Sequence, residues 1–314
     1  MRIIPLGIFL VSLLFTGGAA AAPRPLLRLA NEHVEVSVDP THGLILRFGI
    51  PGHRNLFWEN ADPIADPEVN GGWVDYGGDK LWWGPMVDWQ RVKGRRFPPD
   101  EALDAAWTVI ALSRDRVVMR STVSPWVGIY AEREISLSPT EPTVVIHNRF
   151  TRVTANPQRL QLWTICQLPR PAWCWLDSQP RDGEPAFVNL RPSLDPEPFT
   201  ELDAVLDAVR YTPVGDARNL IGTRGDWIAA VYDDVIVAHS LSPYPDGEYA
   251  ENCSLQLFVG PDYIEIETLS GLATPMVGES MTNTVRWHVF PRPASLAEID
   301  LGHWLRTQLD AQPQ

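Results

Sequence analysis

Residues 281–290, Met-Thr-Asn-Thr-Val-Arg-Trp-His-Val-Phe, place Thr282, Thr284, Arg286 and His288 opposite Met281, Val285, Trp287 and Val289. An extended strand, whose successive side chains point to opposite faces, turns that order into one polar and one apolar surface. The same period runs through Val34, Val36 and Val38, with Glu35, Ser37 and Asp39 between them. Turn-forming residues 39–43 follow, and residues 44–50 return as the second arm of a hairpin. Further short strands are predicted at 106–112, 116–123, 129–137, 143–151, 226–232, 235–241, 254–259 and 263–269, separated by turn clusters such as Ser138-Pro-Thr-Glu-Pro142. Twenty-nine prolines and 13 tryptophans in 314 residues argue against a helical bundle, because an interior proline removes a helix hydrogen bond and clashes with the preceding turn. Residues 200–210 read as one helix or a loop. Residues 294–309 read as a terminal amphipathic helix with Leu296, Ile299, Trp304 and Leu305 as its apolar members. The predicted fold class is all-β, with two large, mostly antiparallel packed sheets and a short C-terminal helix.

One stretch fits neither a 3.6 nor a 2.0 period. Across residues 71–100, Trp73, Tyr76, Trp82, Trp83 and Trp89 are interleaved with Asp75, Asp79, Lys80, Asp88 and Arg91, and five glycines interrupt it between Gly71 and Gly84. It reads as a loop. Flat apolar rings beside charged hydrogen-bonding groups suit a sugar, which has apolar C–H faces and a polar equator. The competing reading is that the tryptophans plug one end of a β-sandwich, against which stands the cost of burying carboxylates and a lysine. Nearby Arg91, Lys93, Arg95 and Arg96 either favour an acidic sugar or form a solvated basic cluster.

The chain begins with Met1-Arg2, an apolar run over residues 3–15 and a small-residue segment ending at Ala22. That order describes a secretory signal peptide, cleaved near Ala21 or Ala22, and the run is too short for a membrane anchor. Residues 1–22 are accordingly expected to be leader, and residues 23–314 a single domain in a periplasmic or secreted bacterial protein. A net charge of −13 disfavours nucleic acid and anionic membranes as partners. Cys166, Cys174 and Cys253 allow at most one internal disulfide, with Cys166 and Cys174 flanking a proline-rich turn as the candidate pair. Without a CxxC or an HxH there is no metal signal, and no cofactor is expected.

In the strand beginning at Leu160, Gln161, Trp163, Ile165 and Gln167 share one face, opposite Leu162, Thr164, Cys166 and Leu168. The early hairpin, the glycine-rich aromatic stretch, Ala131-Glu-Arg-Glu-Ile-Ser-Leu137 leading to Val144-Val-Ile-His-Asn148, and Glu265-Ile-Glu-Thr-Leu269 followed by Val277-Gly-Glu-Ser280 and Trp287-His-Val-Phe290 together resemble the galactose mutarotase-like superfamily. The resemblance covers roughly residues 31–293 and is closer to a bacterial branch distinct from the aldose 1-epimerases themselves. It implies a β-supersandwich with a sugar-binding concave face, and a cofactor-free reaction in which a late-strand glutamate is the base and a histidine the acid. The glutamate carries over to Glu267, on the same strand face as Tyr263 and Glu265. The histidine does not carry over, because Trp163 stands about where it would be, and the family's earlier Asn-His pair is replaced by Lys80-Leu-Trp-Trp83. Lys80 would replace the acid only if Trp82 and Trp83 desolvated it, and a lysine in a polar loop is ordinarily charged. The expected site is therefore Glu267 for catalysis, with Asp79, Lys80, Trp82, Trp83, Trp163, Gln167 and Glu265 binding a carbohydrate. Three readings stay open: an aldose epimerase or mutarotase-like isomerase, a non-catalytic carbohydrate-binding protein, and a polysaccharide lyase or hydrolase on the same fold.

Overall fold

Strand alternation over most of the chain yields nineteen strands in two sheets, in a computed structural model that describes residues 25–61, 63, 73–97, 99–191, 199–203, 207–216, 218–241 and 247–311. The expected signal peptide lies outside the described residues. The first eight strands are β1 (Leu27–Ala30), β2 (Glu35–Asp39), β3 (Leu44–Gly49), β4 (Asp79–Gly84), β5 (Trp107–Leu112), β6 (Arg116–Ser121), β7 (Ile129–Leu137) and β8 (Thr143–Arg152). The middle of the chain supplies β9 (Gln161–Pro169), β10 (Trp173–Asp177), β11 (Val188–Asn189), β12 (Phe199–Asp203), β13 (Ala208–Thr212) and β14 (Asn219–Thr223). The last five are β15 (Trp227–Val231), β16 (Val235–Leu241), β17 (Leu255–Val259), β18 (Tyr263–Leu269) and β19 (Ser280–Pro291). One sheet has nine strands in the order β1-β2-β3-β4-β9-β18-β17-β14-β11; the other has ten, β12-β13-β10-β15-β16-β19-β8-β7-β6-β5. Two large antiparallel sheets are what the alternation predicts.

Between the sheets lies a large apolar core. Val36, Val38, Leu81, Trp83, Leu162 and Ile266 come from the nine-stranded side, and Ile135, Ile146, Val285, Trp287 and Val289 from the other. Two charges are buried within it. Arg133 on β7 forms an ion pair with Asp79 on β4, donates 2.8 Å to Gly43 O, and donates through Nε, 3.2 Å, to Asn148 Oδ1. Asn148 donates in turn to Asn283 Oδ1 at 2.9 Å, and Trp287 Nε1 donates to the second Asp79 oxygen at 3.3 Å. This network ties the sheets together while leaving neither charge unpaired. A second cluster, with Trp173, Trp175, Trp227 and Phe290, packs the terminal helix through Leu301 and Leu305 against the outer face of the ten-stranded sheet. Three short helices accompany the sheets: α1 (Trp89–Lys93), α2 (Glu101–Asp104) and the terminal α3 (Glu298–Asp310). No helix of the described residues is long and apolar enough to cross a membrane.

Three expectations need correction. The aromatic stretch is not a loop throughout, since residues 79–84 form β4, inserted between β3 and β9. Residues 200–210 are neither helix nor loop where described, because β12 and β13 pair antiparallel and β13 continues onto β10. Ladder hydrogen bonds and the burial of Val209 and Tyr211 override the local helix preference there. Cys166 and Cys174 form no disulfide: they lie in different sheets, and all three cysteines are free and buried.

Candidate functional site

The parity of β4 divides the aromatic stretch into two populations. Asp79, Leu81 and Trp83 point between the sheets, and Lys80 and Trp82 point to the outer face of the nine-stranded sheet. Register carries that outer face across the sheet. Trp82 sits opposite Trp163 and Lys80 opposite Ile165 on β9; Gln167 and Ile165 then sit opposite Glu265 and Glu267 on β18, which face Phe258 and Gln256 on β17. The result is a cavity of about 610 Å³. Its aromatic lining is Trp73, Trp82, Phe97, Trp163, Tyr249, Phe258 and Tyr263, and its polar lining includes Asp75, Gln161, Arg191, Glu248, Glu251, Gln256, Glu265 and Glu267. Trp82 meets Trp73 and Trp163 edge-on, with ring centroids 5.4 and 5.6 Å apart.

Under the cavity floor lies a chain of charge-assisted hydrogen bonds. Lys80 Nζ donates to Asp75 Oδ1 at 2.8 Å and to Gln167 Oε1 at 3.3 Å. Gln167 Nε2 donates to Asp75 Oδ2 at 2.8 Å and to Glu265 Oε1 at 2.9 Å. Deeper in the floor, Trp163 Nε1 donates to Glu267 Oε2 at 2.7 Å, and Glu267 is only 3% exposed. Burial, reinforced by the neighbouring Glu265, pushes the Glu267 carboxyl well above the ordinary range. Burial also raises Glu265, to about 7, although Lys80 opposes the shift. For Asp75, burial would raise the carboxyl, but Lys80 and the Gln167 hydrogen bond outweigh it and hold the group below its ordinary value. For Lys80, burial would lower the amine, but Asp75 and Glu265 outweigh it and keep the amine charged. Lys80 therefore does not become the acid that replaces histidine.

Six of the eight expected site residues gather here: Lys80, Trp82, Trp163, Gln167, Glu265 and Glu267. Lys80 and Gln167 lie beneath the lining and set the charge of Asp75 and Glu265. The other two are misplaced by the expectation. Asp79 is bound to Arg133 in the core, and Trp83 is wholly buried, its Nε1 donating 3.2 Å to Asp100 Oδ2. The nearby glycines also serve the fold. Gly77 and Gly78 have φ of 83° and 67°, and a Cβ at Gly78 would lie 2.2 Å from Ile45 O; the close approach is of chain to chain. Of the basic cluster, Lys93 is buried, with its amine 4.1 Å from the Trp89 ring centre, and none of its four members lines the cavity. Among the described residues no histidine lines it either. His239 is fully buried and stacked at 4.1 Å on Trp287, and burial lowers it to about 3. No group of three metal-ligating side chains occurs among the described residues. Residues 73–76, Arg191 and residues 248–251 contribute groups that strand reasoning missed. They lie on connections, where no period reports direction, whereas Gln256 and Phe258 were recoverable from the alternation of β17.

A family model described as a domain of unknown function (DUF4380) matches residues 25–172. No curated protein sequence matches the chain. Among solved structures, it resembles a candidate aldose 1-epimerase from Escherichia coli K12, with a TM-score of 0.55 and 13% identity, over 85% of this chain and 99% of that one. A candidate mutarotase from Salmonella typhimurium gives a TM-score of 0.56 at 10% identity, over 85% and 90% of the two chains. A galactose mutarotase-like protein from Lactobacillus casei ATCC 334 gives 0.53 at 10% identity, over 85% and 100%. At these identities the likeness defines architecture: the chain has the galactose mutarotase-like fold.

Proposed function

We propose that this is an exported carbohydrate-binding protein whose cavity takes a sugar and interconverts its anomers or epimers, with Glu267 as the proton-transferring group. The supporting observation is the position of Glu267, held by Trp163 Nε1 on the floor of an aromatic-lined cavity in the central strands of the nine-stranded sheet. A carboxyl group whose proton affinity is raised by burial exchanges protons near neutral pH more readily than an exposed one. Trp82 and Trp163 offer rings to the apolar face of a sugar, and Gln161, Gln256 and Asp75 offer polar groups for its hydroxyls. A cavity carrying Asp75, Glu251, Glu265 and Glu267 against Arg191 disfavours uronates and sugar phosphates, so a neutral sugar is the expected ligand. Export rests on the leader-like residues 1–22.

The test is titration of the protein with neutral and acidic sugars, with anomeric exchange followed in the same samples. Neutral sugars should bind with accelerated exchange. Binding without exchange would favour a second reading, a carbohydrate-binding protein without turnover, for which the observation is that no histidine lines the cavity among the described residues. No binding would remove both.

A further inference from the structure

Two carboxyl groups, not one, face the sugar cavity from β18. Glu265 and Glu267 are two residues apart on one strand face, so their Cα atoms are separated by about 6.8 Å, twice the strand rise. Each has one oxygen tied to the protein, Glu265 Oε1 by Gln167 and Glu267 Oε2 by Trp163. The second oxygen of each accepts no hydrogen bond among the described residues, and both side chains line the cavity. Two hydrogen bonds of about 2.7 Å, reaching two oxygens carried by one sugar carbon, span a distance of that order.

Their surroundings differ in a way that separates their roles. Glu265 is partly exposed and receives the Gln167 hydrogen bond beside the Lys80 ammonium, which offset part of the rise that burial imposes and leave it the more readily ionised of the two. Glu267 is buried deeper, with an indole N–H as its donor and Glu265 as its charged neighbour, which favours the protonated form. A nearby carboxylate raises the proton affinity of its neighbour, as Glu265 does for Glu267, so the two groups ionise one after the other. The other charged or titratable groups at the cavity are Asp75 and Lys80, joined to each other, Glu251 bound to Gln256, Glu248 paired with Arg159, Arg191, Tyr249 and Tyr263.

We propose that Glu265 and Glu267 form an acid–base pair that opens the ring of a neutral reducing sugar, with Glu267 as the donor and Glu265 as the acceptor. This rests on the sugar-interconverting reading above and supplies the second group that the absent histidine leaves wanting. The Glu265 carboxylate takes the proton of the anomeric hydroxyl, and the O–H electron pair becomes the C1=O double bond. The bond from C1 to the ring oxygen breaks, and its electron pair takes the proton of Glu267. The open-chain aldehyde turns about C1–C2 and closes: Glu267 recovers the hydroxyl proton, the ring oxygen attacks C1, and O1 takes the proton from Glu265. Both carboxyl groups end as they began.

The experiment is exchange NMR of α- and β-anomers of D-galactose, D-glucose and N-acetyl-D-glucosamine with the full chain, from about pH 5 to about pH 9, the range in which such groups titrate. The wild type should give a bell-shaped rate profile. Glu265→Gln and Glu267→Gln should each lose roughly 10²–10⁴-fold in exchange rate, with the double variant little worse than either single one, as for groups that act as a unit. Full exchange with an unchanged profile in Glu265→Gln, alongside loss in Glu267→Gln, would overturn the pair and leave the single-carboxyl reading standing. A wild-type profile with one limb would overturn the pair without reference to any variant. Failure of the wild type to accelerate exchange would sink both, as would release of new reducing ends from cellobiose without exchange.

Discussion

Two clusters of buried charge flank β4, one on each face. Inside the sandwich, Asp79 and Arg133 meet with Gly43 O, Asn148, Asn283 and Trp287 around them, and both Asp79 oxygens are engaged. On the outer face, Lys80, Asp75, Gln167 and Glu265 form a comparable chain, but Glu265 and Glu267 each present an oxygen with no partner among the described residues. Both clusters bear the cost of desolvating charge. Only in the first are the charged groups satisfied by the protein itself. The difference separates charges that hold the sheets together from charges left available to a ligand.

The largest effects should come from the inner cluster. Arg133→Met leaves Asp79 buried and uncompensated, and should cost about 3–5 kcal/mol in chemical unfolding. Trp83→Ala should cost a similar ~3–5 kcal/mol through the core cavity it opens; denaturation that coincides with wild type in either variant would refute the assignment. Glu267→Gln should do the opposite, reducing anomeric exchange by about 10²-fold or more while leaving the melting temperature equal or higher, because a carboxyl group with raised proton affinity is lost. Next in size, Trp82→Ala should weaken sugar binding by about 1–3 kcal/mol in calorimetric titration, whereas an unchanged affinity would show that the ring does not meet the ligand.

The smallest effect concerns a carboxyl pair remote from the cavity. Asp226 is raised to about 7 by burial and by its neighbour Asp177, which Arg306 contacts at 3.2 Å. Since the folded value lies above the unfolded one, this group's contribution is fully retained below about pH 4 and is lost as pH rises to about 7. Asp226→Asn should therefore stabilise the protein above about pH 7 and change little near pH 4, as followed by thermal melts across pH. Sugar exchange should be unaltered, which would separate a structural carboxyl pair from the pair in the cavity.

Much of this architecture is visible in local alternation. Residues 129–137, 235–241 and 263–269 are read from sequence with the bounds they have in β7, β16 and β18: the first and last carry a period of two, and 235–241 is a short continuous apolar run of the kind a strand buried on both faces shows. The strand β4 is harder to see. Gly77 and Gly78 precede it and Gly84 ends it, all six of its residues are buried, and what makes it a strand is pairing with β3 and β9, more distant in sequence. Treating it as a loop is also what puts Asp79 and Trp83 in the site. Strand parity separates them from Lys80 and Trp82. The pairing of Glu265 with Glu267 is legible as an i, i+2 spacing, and the shared face of Trp163 and Gln167 follows from the alternation of β9, whereas the pairing of β9 with β18 is long-range. Asp75, Arg191 and Glu251 are not legible, since their positions depend on how connections fold across the sheet edge.

The central claim is that the aromatic cavity binds a carbohydrate, and saturation-transfer NMR tests it most directly. With D-galactose, D-glucose and N-acetyl-D-glucosamine, the account predicts transfer to ring protons from the wild-type protein, reduced in Trp82→Ala and retained in Glu267→Gln. No transfer from any neutral sugar, or transfer undiminished in Trp82→Ala, would contradict it.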